Sequence, residues 1–156
     1  MKTLEEITYE AGRAALDDQE KLVAGIRQRT GTLLAAHALV ASFLGATTLR
    51  ESGLSTWTWI ALAALVLGLG AAAVLLAPWN LTFAVPAPEL YAGLRDQAAQ
   101  EATEGTLGWL VTAGYSYEAL RELNARRVTF MSRIAAAFAI LMVAQTLAWL
   151  TGLAVG

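Results

Sequence analysis

Residues Trp57 to Trp79 read WTWIALAALVLGLGAAAVLLAPW, without one charged side chain. At 1.5 Å per residue a helix of this length crosses about 30 Å of hydrocarbon. Trp57, Trp59 and Trp79 stand at its two ends, the headgroup level that indoles prefer. Pro78 lacks the N–H that would carry a helix further. The stretch is expected to be a transmembrane helix at 57–79, and it sets the fold class: all-α, integral to a membrane.

Two more uncharged blocks lie on either side of it. Between Arg29 and Arg50 the only ionisable side chain is His37, and residues 31–49 are expected to form the first span. No charge follows Arg133, so residues 134–155 are expected to form the third span, with Trp149 towards its far end. Charged residues are 15% of the chain, against about 25% in an ordinary soluble domain. The deficit is concentrated in these three blocks, which is the pattern of a bilayer protein rather than of a greasy soluble core.

The remaining sequence is polar. Residues 1–29 are expected to be a cytosolic amphipathic helix. Thr3 is placed to cap it, with Glu5 and Glu6 in its first turn, and Leu4, Ile7, Ala11, Ala14, Ala15, Leu22 and Ile26 recur at helical spacing. It reads either as a solvated lead into the membrane or as an interfacial or oligomerising helix. Arg50 to Gly53 read as a polar turn, and Asn80 to Val85 as a short extended piece. Residues 86–127 are expected to be a helical cytosolic insert between spans two and three. Pro86 and Pro88 set up its start, and Glu89 to Glu101 form a surface helix. Gly105, Gly108 and Gly114 weaken helical character, so the last helix is expected to begin at about Tyr117.

Ten of the 11 Lys and Arg fall on one side of this topology, and only Arg50 falls on the other. The positive-inside rule then puts the N-terminus in the cytoplasm and the C-terminus outside. Residues 1–29 come too charged and too long for the n-region of a cleaved signal peptide.

Chemistry is sparse. Without cysteine there is no disulfide or thiolate site, and no nucleophile, P-loop or zinc-protease motif occurs. No catalytic residue, metal or cofactor is expected. A net charge of −2 gives no electrostatic case for nucleic acid.

The polar residues inside the spans are the candidates that remain. His37 is either a pore-lining or pH-sensing group, or a neutral imidazole bonded to a carbonyl or a serine. Gln145 is either a ring of amides in an oligomer or packing glue between helices. Its position nearer the outer side is expected to keep it from His37 at one depth. Thr32, His37, Ser42 and Thr48 make a partial polar stripe on the first span. Ala41 with Gly45, and Ala64, Gly68 with Ala72, form small-residue stripes suited to close helix packing. Arg126, Arg127 and Arg133 are expected to anchor the cytoplasmic mouth of the third span on anionic lipid, or to bind a phosphorylated molecule or an acidic partner.

The layout resembles a group of small bacterial membrane proteins, the SLATT and Pycsar transmembrane effectors. A charged helix runs into a first span opening QRTGTLLAAHALVASFLG, Gln28 to Gly45. That opening looks similar to the family's, although Arg29, Thr30 and Gly31 stand where the family often has Lys-Ala. A second span ending in Trp79-Asn80-Leu81-Thr82-Phe83 and an insert opening at Pro88 to Tyr91 complete the likeness. The resemblance implies a homo-oligomeric effector in a bacterial cytoplasmic membrane that forms a pore or disrupts the bilayer in anti-phage defence or stress signalling. No cyclic-nucleotide-binding domain is recognisable, so a trigger is expected to act through the insert or a cytosolic sensor protein. The alternative is a membrane-anchored scaffold without a pore, whose cytosolic helices bind a partner.

Overall fold

The computed structural model of the chain describes residues 4–84 and 108–155. The expectations for Thr3 and for residues 85–107 lie outside them. The described residues form α1 (Leu4–Glu51), α2 (Thr56–Leu76) and α3 (Gly108–Val155), with no strand. All three helices are long and apolar enough to cross a membrane.

Four boundaries differ from the sequence reading, one of them the end of the second span, where α2 stops at Leu76 rather than at Trp79. The N-terminal helix and the first span are one helix, because nothing between Arg29 and Gly31 breaks the hydrogen-bond ladder. Arg50 and Glu51 belong to the end of that helix rather than to a turn. The last helix begins at Gly108, not near Tyr117, and includes Gly114. The cost of glycine in a helix, about 1 kcal/mol, is met there by a close helix contact. Asn80 to Ala84 carry no regular secondary structure.

The chain divides into two compact units. The first, Met1–Val23 with Trp79–Thr129, holds the polar parts of α1 and α3. The two helices run parallel there, pairing Gly12 with Gly114 and Gln19 with Arg121. A Cβ on Gly12 would lie 2.5 Å from the Gly114 carbonyl oxygen, and one on Gly114 would lie 2.9 Å from the Thr8 carbonyl oxygen. The backbones therefore touch, and only glycine fits. Beside this crossing Tyr9 and Tyr117 pack edge to face, with ring centroids 5.8 Å apart. Burial and the hydrogen bond to Tyr9 raise the Tyr117 phenol above its ordinary value. On the same helix the Arg121 guanidinium, with Nε 2.9 Å from the carboxylate oxygens, holds the Glu118 carboxyl below its ordinary value. Asn124 donates to the Thr82 carbonyl at 2.8 Å and Arg127 donates to the Asn80 carbonyl, which ties residues 80–82 to α3.

The second unit, Ala24–Pro78 with Phe130–Gly156, holds the apolar parts of all three helices. The α1 helix ends in a tight turn. The Ser52 N–H bonds back to the Thr48 carbonyl at 2.8 Å, and Gly53 takes a φ of 62°, the left-handed conformation glycine adopts without strain. Ser55 then caps α2 by accepting from the Thr58 N–H at 3.3 Å. Pro78 follows the last helical bonds of α2. There Arg27 donates to the Ala77 carbonyl at 3.1 Å, a cation at the negative end of the helix dipole.

Within this unit α1 and α3 run parallel, and α2 returns antiparallel between them. Ala61 meets Trp149 while Gly68 meets Met142. A row of buried positions on α3 runs through Met131, Phe138, Met142, Gln145, Trp149 and Gly152, with Ala135 half-buried and Ala148 buried beside the row. Spacing along the row alternates between four and three residues, as in a coiled-coil seam. Outward-facing Leu39 and Phe43 are 76% and 75% exposed, in company with Val66, Leu67, Ile140 and Val143. So large an apolar surface is costly in water and costs nothing against lipid tails.

The glycine crossing is testable by thermal unfolding in detergent, followed by circular dichroism. Gly12→Ala should destabilise by about 1–3 kcal/mol, because backbone cannot yield to the new methyl. Gly25→Ala, with nothing within 4 Å of its Cβ, should gain up to about 1 kcal/mol from helix propensity. Equal effects at the two sites would show that the backbones are not in contact.

Candidate functional site

The polar groups of the apolar unit converge on the α1–α3 seam. On α1 the inward face carries Thr30, His37, Gly45 and Thr48, all buried. His37 is 7% exposed and Gln145 is 0% exposed. The His37 Nε2 lies 2.6 Å from the Gln145 Oε1. With the amide oxygen facing the ring, the imidazole N–H donates and Gln145 accepts.

This overturns the expectation that the two residues sit at different depths. Counted from Arg29 and Arg133, Gln145 is one helical turn deeper. Helical side chains incline towards the N-terminus of their helix, and glutamine is long. The Gln145 amide therefore reaches back across that turn. The pair joins α1 to α3 within one chain.

Two donors beside this bond lack an acceptor among the described residues: the Gln145 Nε2 and, one turn further along α3, the Trp149 Nε1, both buried. Below them Thr48 donates to the Leu44 carbonyl at 2.8 Å and approaches the Trp149 carbonyl at 3.4 Å. Ser52 donates to the Gly152 carbonyl at 3.0 Å. The seam is thus polar at its middle and at its Gly152 end.

Ser42 is elsewhere. It is exposed on the outer face of α1, and its hydroxyl donates to the Ala38 carbonyl at 2.7 Å. Thr32, Thr47, Thr146 and Thr151 do the same with the carbonyl four residues back. An outward hydroxyl satisfied in this way needs neither water nor a partner helix.

The small residues divide by contact. Gly45 is buried, and a Cβ there would stand 3.3 Å from the Trp149 ring, while Ala41 is half-buried. Ala64, Gly68 and Ala72 lie buried along one face of α2 with Thr58, Ala61 and Leu75. At Gly68 an added Cβ would overlap the terminal methyl of Met142. Arg126, Arg127 and Arg133 are all exposed, and Arg127 is engaged with Asn80.

Several residues escaped the sequence reading. Trp149 is placed there only towards the far end of the third span, yet it is 2% exposed and packs with Ala61 and Ala148. Arg27 reads as one topological charge among many, yet it caps α2. The signal that could have found Trp149 is its four-residue step from Gln145 in the four–three repeat of α3. Nothing in the sequence singles out Arg27. No group of three or more His, Cys, Asp or Glu converges among the described residues. Comparison with known proteins gives no matching family model, curated protein or solved structure.

A double-mutant cycle on His37→Leu and Gln145→Leu, read by unfolding in detergent, tests the bond. Each single variant strands one buried polar group, at a cost of about 1–3 kcal/mol. The double variant should cost less than the sum, by about 0.6 kcal/mol and at most about 1.7 kcal/mol. Strict additivity would show that the two side chains do not interact.

Proposed function

We propose that this chain is a membrane-anchored scaffold that forms no pore, held by its apolar unit and binding a partner protein through the helices of its polar unit. One observation carries the reading. Apart from the buried Gln145 Nε2 and Trp149 Nε1 donors, the polar groups of the spans are engaged inside the chain, in the His37–Gln145 bond and in hydroxyl bonds to each helix's own carbonyls. A water-filled pore needs a polar face turned outward, towards copies of the chain, and the outward faces here are apolar. On the polar unit Tyr115 and Leu123 are exposed on α3, at 68% and 74%. They offer apolar contact where solvent would otherwise lie. The distribution of Lys and Arg supports an orientation with the N-terminus and this unit in the cytoplasm, in the cytoplasmic membrane of a bacterium. No catalysis and no cofactor are part of this reading.

A second reading is the oligomeric, bilayer-perturbing effector implied by the resemblance to SLATT and Pycsar proteins, with a cytosolic sensor as trigger. It is favoured by one feature, an ionisable His37 beside two buried donors without acceptors. Separation of α1 from α3 would release those groups to face a lumen.

Dye release from liposomes carrying the purified protein separates the two, run beside its mass in detergent. The scaffold reading expects a tight bilayer, with and without lysate from phage-infected bacteria. Leakage that His37→Leu with Gln145→Leu reduces would replace it with the effector reading.

A further inference from the structure

In the polar unit the α1–α3 pair has two sides, and the chain treats them differently. Helical geometry puts Asn124 and Arg127 on one side of the seam and Ala125 and Thr129 on the other. The bonds from Asn124 and Arg127 hold residues 80–82 against the first side. The second side is a groove of about 340 Å³, lined among the described residues by α1 and α3 alone. All of these lining residues belong to the polar unit.

The floor of the groove is apolar and mostly small. Ala15 and Leu22 come from α1, Ala125 and Val128 from α3. Leu22 is 51% exposed. The volume lies at the low end for a small-molecule pocket, and the groove is open rather than enclosing. Alanine walls leave holes of the kind that large side chains of a packed helix enter as knobs. An amphipathic helix lays its apolar face into such a groove.

The polar atoms of the groove point to the charge of that helix. The Gln19 Nε2 donates to the Arg121 carbonyl at 3.1 Å, so its Oε1 is the atom left over, buried and without a donor among the described residues. The Arg121 charge is met by Glu118 on its own helix. Asp18 has a side chain 79% exposed, and Lys21 pairs with it at a long 3.7 Å. Glu122 adds an exposed carboxylate at the α3 edge. Around the groove Asp18, Glu118 and Glu122 outnumber Lys21 and Arg121 by one. The unmet groups are therefore acceptors and the net charge is negative, which suits a cationic donor.

We infer that this groove seats an amphipathic helix of a partner protein, with leucine-sized side chains over Ala15 and Ala125 and an arginine or lysine directed to Asp18 and Gln19. The inference rests on the scaffold reading and narrows it. The seat is the groove, not the outer face of α3 that carries Tyr115 and Leu123.

The test uses the full chain in phosphatidylcholine nanodiscs, with empty nanodiscs as the blank. Two synthetic helical peptides are compared by fluorescence anisotropy, one with leucines along one face and arginines beside them, the other with glutamate for each arginine. The arginine peptide should bind and the glutamate peptide should not. Asp18→Asn should weaken binding about two- to fivefold, and Leu22→Ser about fivefold or more. Both sites are exposed, so helicity and thermal unfolding should be unchanged. Equal binding of the two peptides, or binding that neither variant alters, overturns the groove. Loss in Tyr115→Ser with Leu123→Ser instead moves the seat to the outer face, which overturns the groove and leaves the scaffold reading standing. A dimer in detergent that Leu22→Ser makes monomeric assigns the groove to a second copy and overturns the partner assignment. Absence of binding by either peptide also overturns the groove, whereas the scaffold reading itself falls only on leakage in the dye-release measurement.

Discussion

A hydrogen-bond donor surrounded by hydrocarbon has no solvent to fall back on, and each one left unpaired costs several kcal/mol. The apolar unit is organised around that constraint. Its backbone is helical through α1, α2 and α3, so amides pair within each helix. Its outward hydroxyls at Ser42, Thr47, Thr146 and Thr151 bond to carbonyls four residues back. Where helices must end, at the turn between α1 and α2, the Ser52 N–H, Ser55 and Thr58 serve as local partners, while the Ser52 hydroxyl donates across to the Gly152 carbonyl of α3. His37 and Gln145, which find no partner on their own helices, are placed against each other, and the Gln145 Nε2 and Trp149 Nε1 donors stay without an acceptor among the described residues.

Packing follows from a second consequence of the same medium. Lipid tails are as apolar as leucine, so burying leucine between helices gains little, and close approach of backbones gains more. The inner face of α2 accordingly presents Thr58, Ala61, Ala64, Gly68 and Ala72, with the large side chains Trp149 and Met142 of α3 set against it. The polar unit reaches a similar solution at Gly12 and Gly114, where two backbones touch. The neighbouring contacts there are the tyrosine pair and the bonds from Gln19, Asn124 and Arg127.

How much of this is legible in the sequence depends on contrast. The spans stand out because charge disappears at Arg29, Arg50 and Arg133. The stop of α2 is written in Pro78, and the small-residue face of α2 is visible in Ala64, Gly68 and Ala72. Helix continuity is harder to see. Gly114 reads as a weak point, because propensity scores the glycine alone and not the partner glycine, Gly12, over a hundred residues away. The inward face of α3 is hidden for a different reason. Nearly every residue from Ile134 to Val155 is apolar, so the hydrophobic period that reveals an amphipathic helix has no polar face to contrast with. The pairing of His37 with Gln145 is hidden because depth counted from flanking charges leaves out the inclination of the side chains.

That pairing raises the question of why polar residues occupy the seam at all. A bond worth about 0.6 kcal/mol is a small return for burying an imidazole and an amide, and well-packed apolar residues often stabilise as much. Stability alone therefore does not account for the pair. Register does. Shape sets part of the alignment, since the Trp149 ring sits over Gly45 and a slide of α3 along α1 would unseat it, and the polar pair adds to that preference. A slide of one turn would separate the His37 Nε2 from the Gln145 Oε1 and leave both without partners in an apolar interior. The penalty for the wrong register far exceeds the gain for the right one, and the buried pair thereby selects a single alignment, as a lone buried asparagine does in a coiled coil. The same alignment fixes which residues of α1 and α3 share a level along the unit.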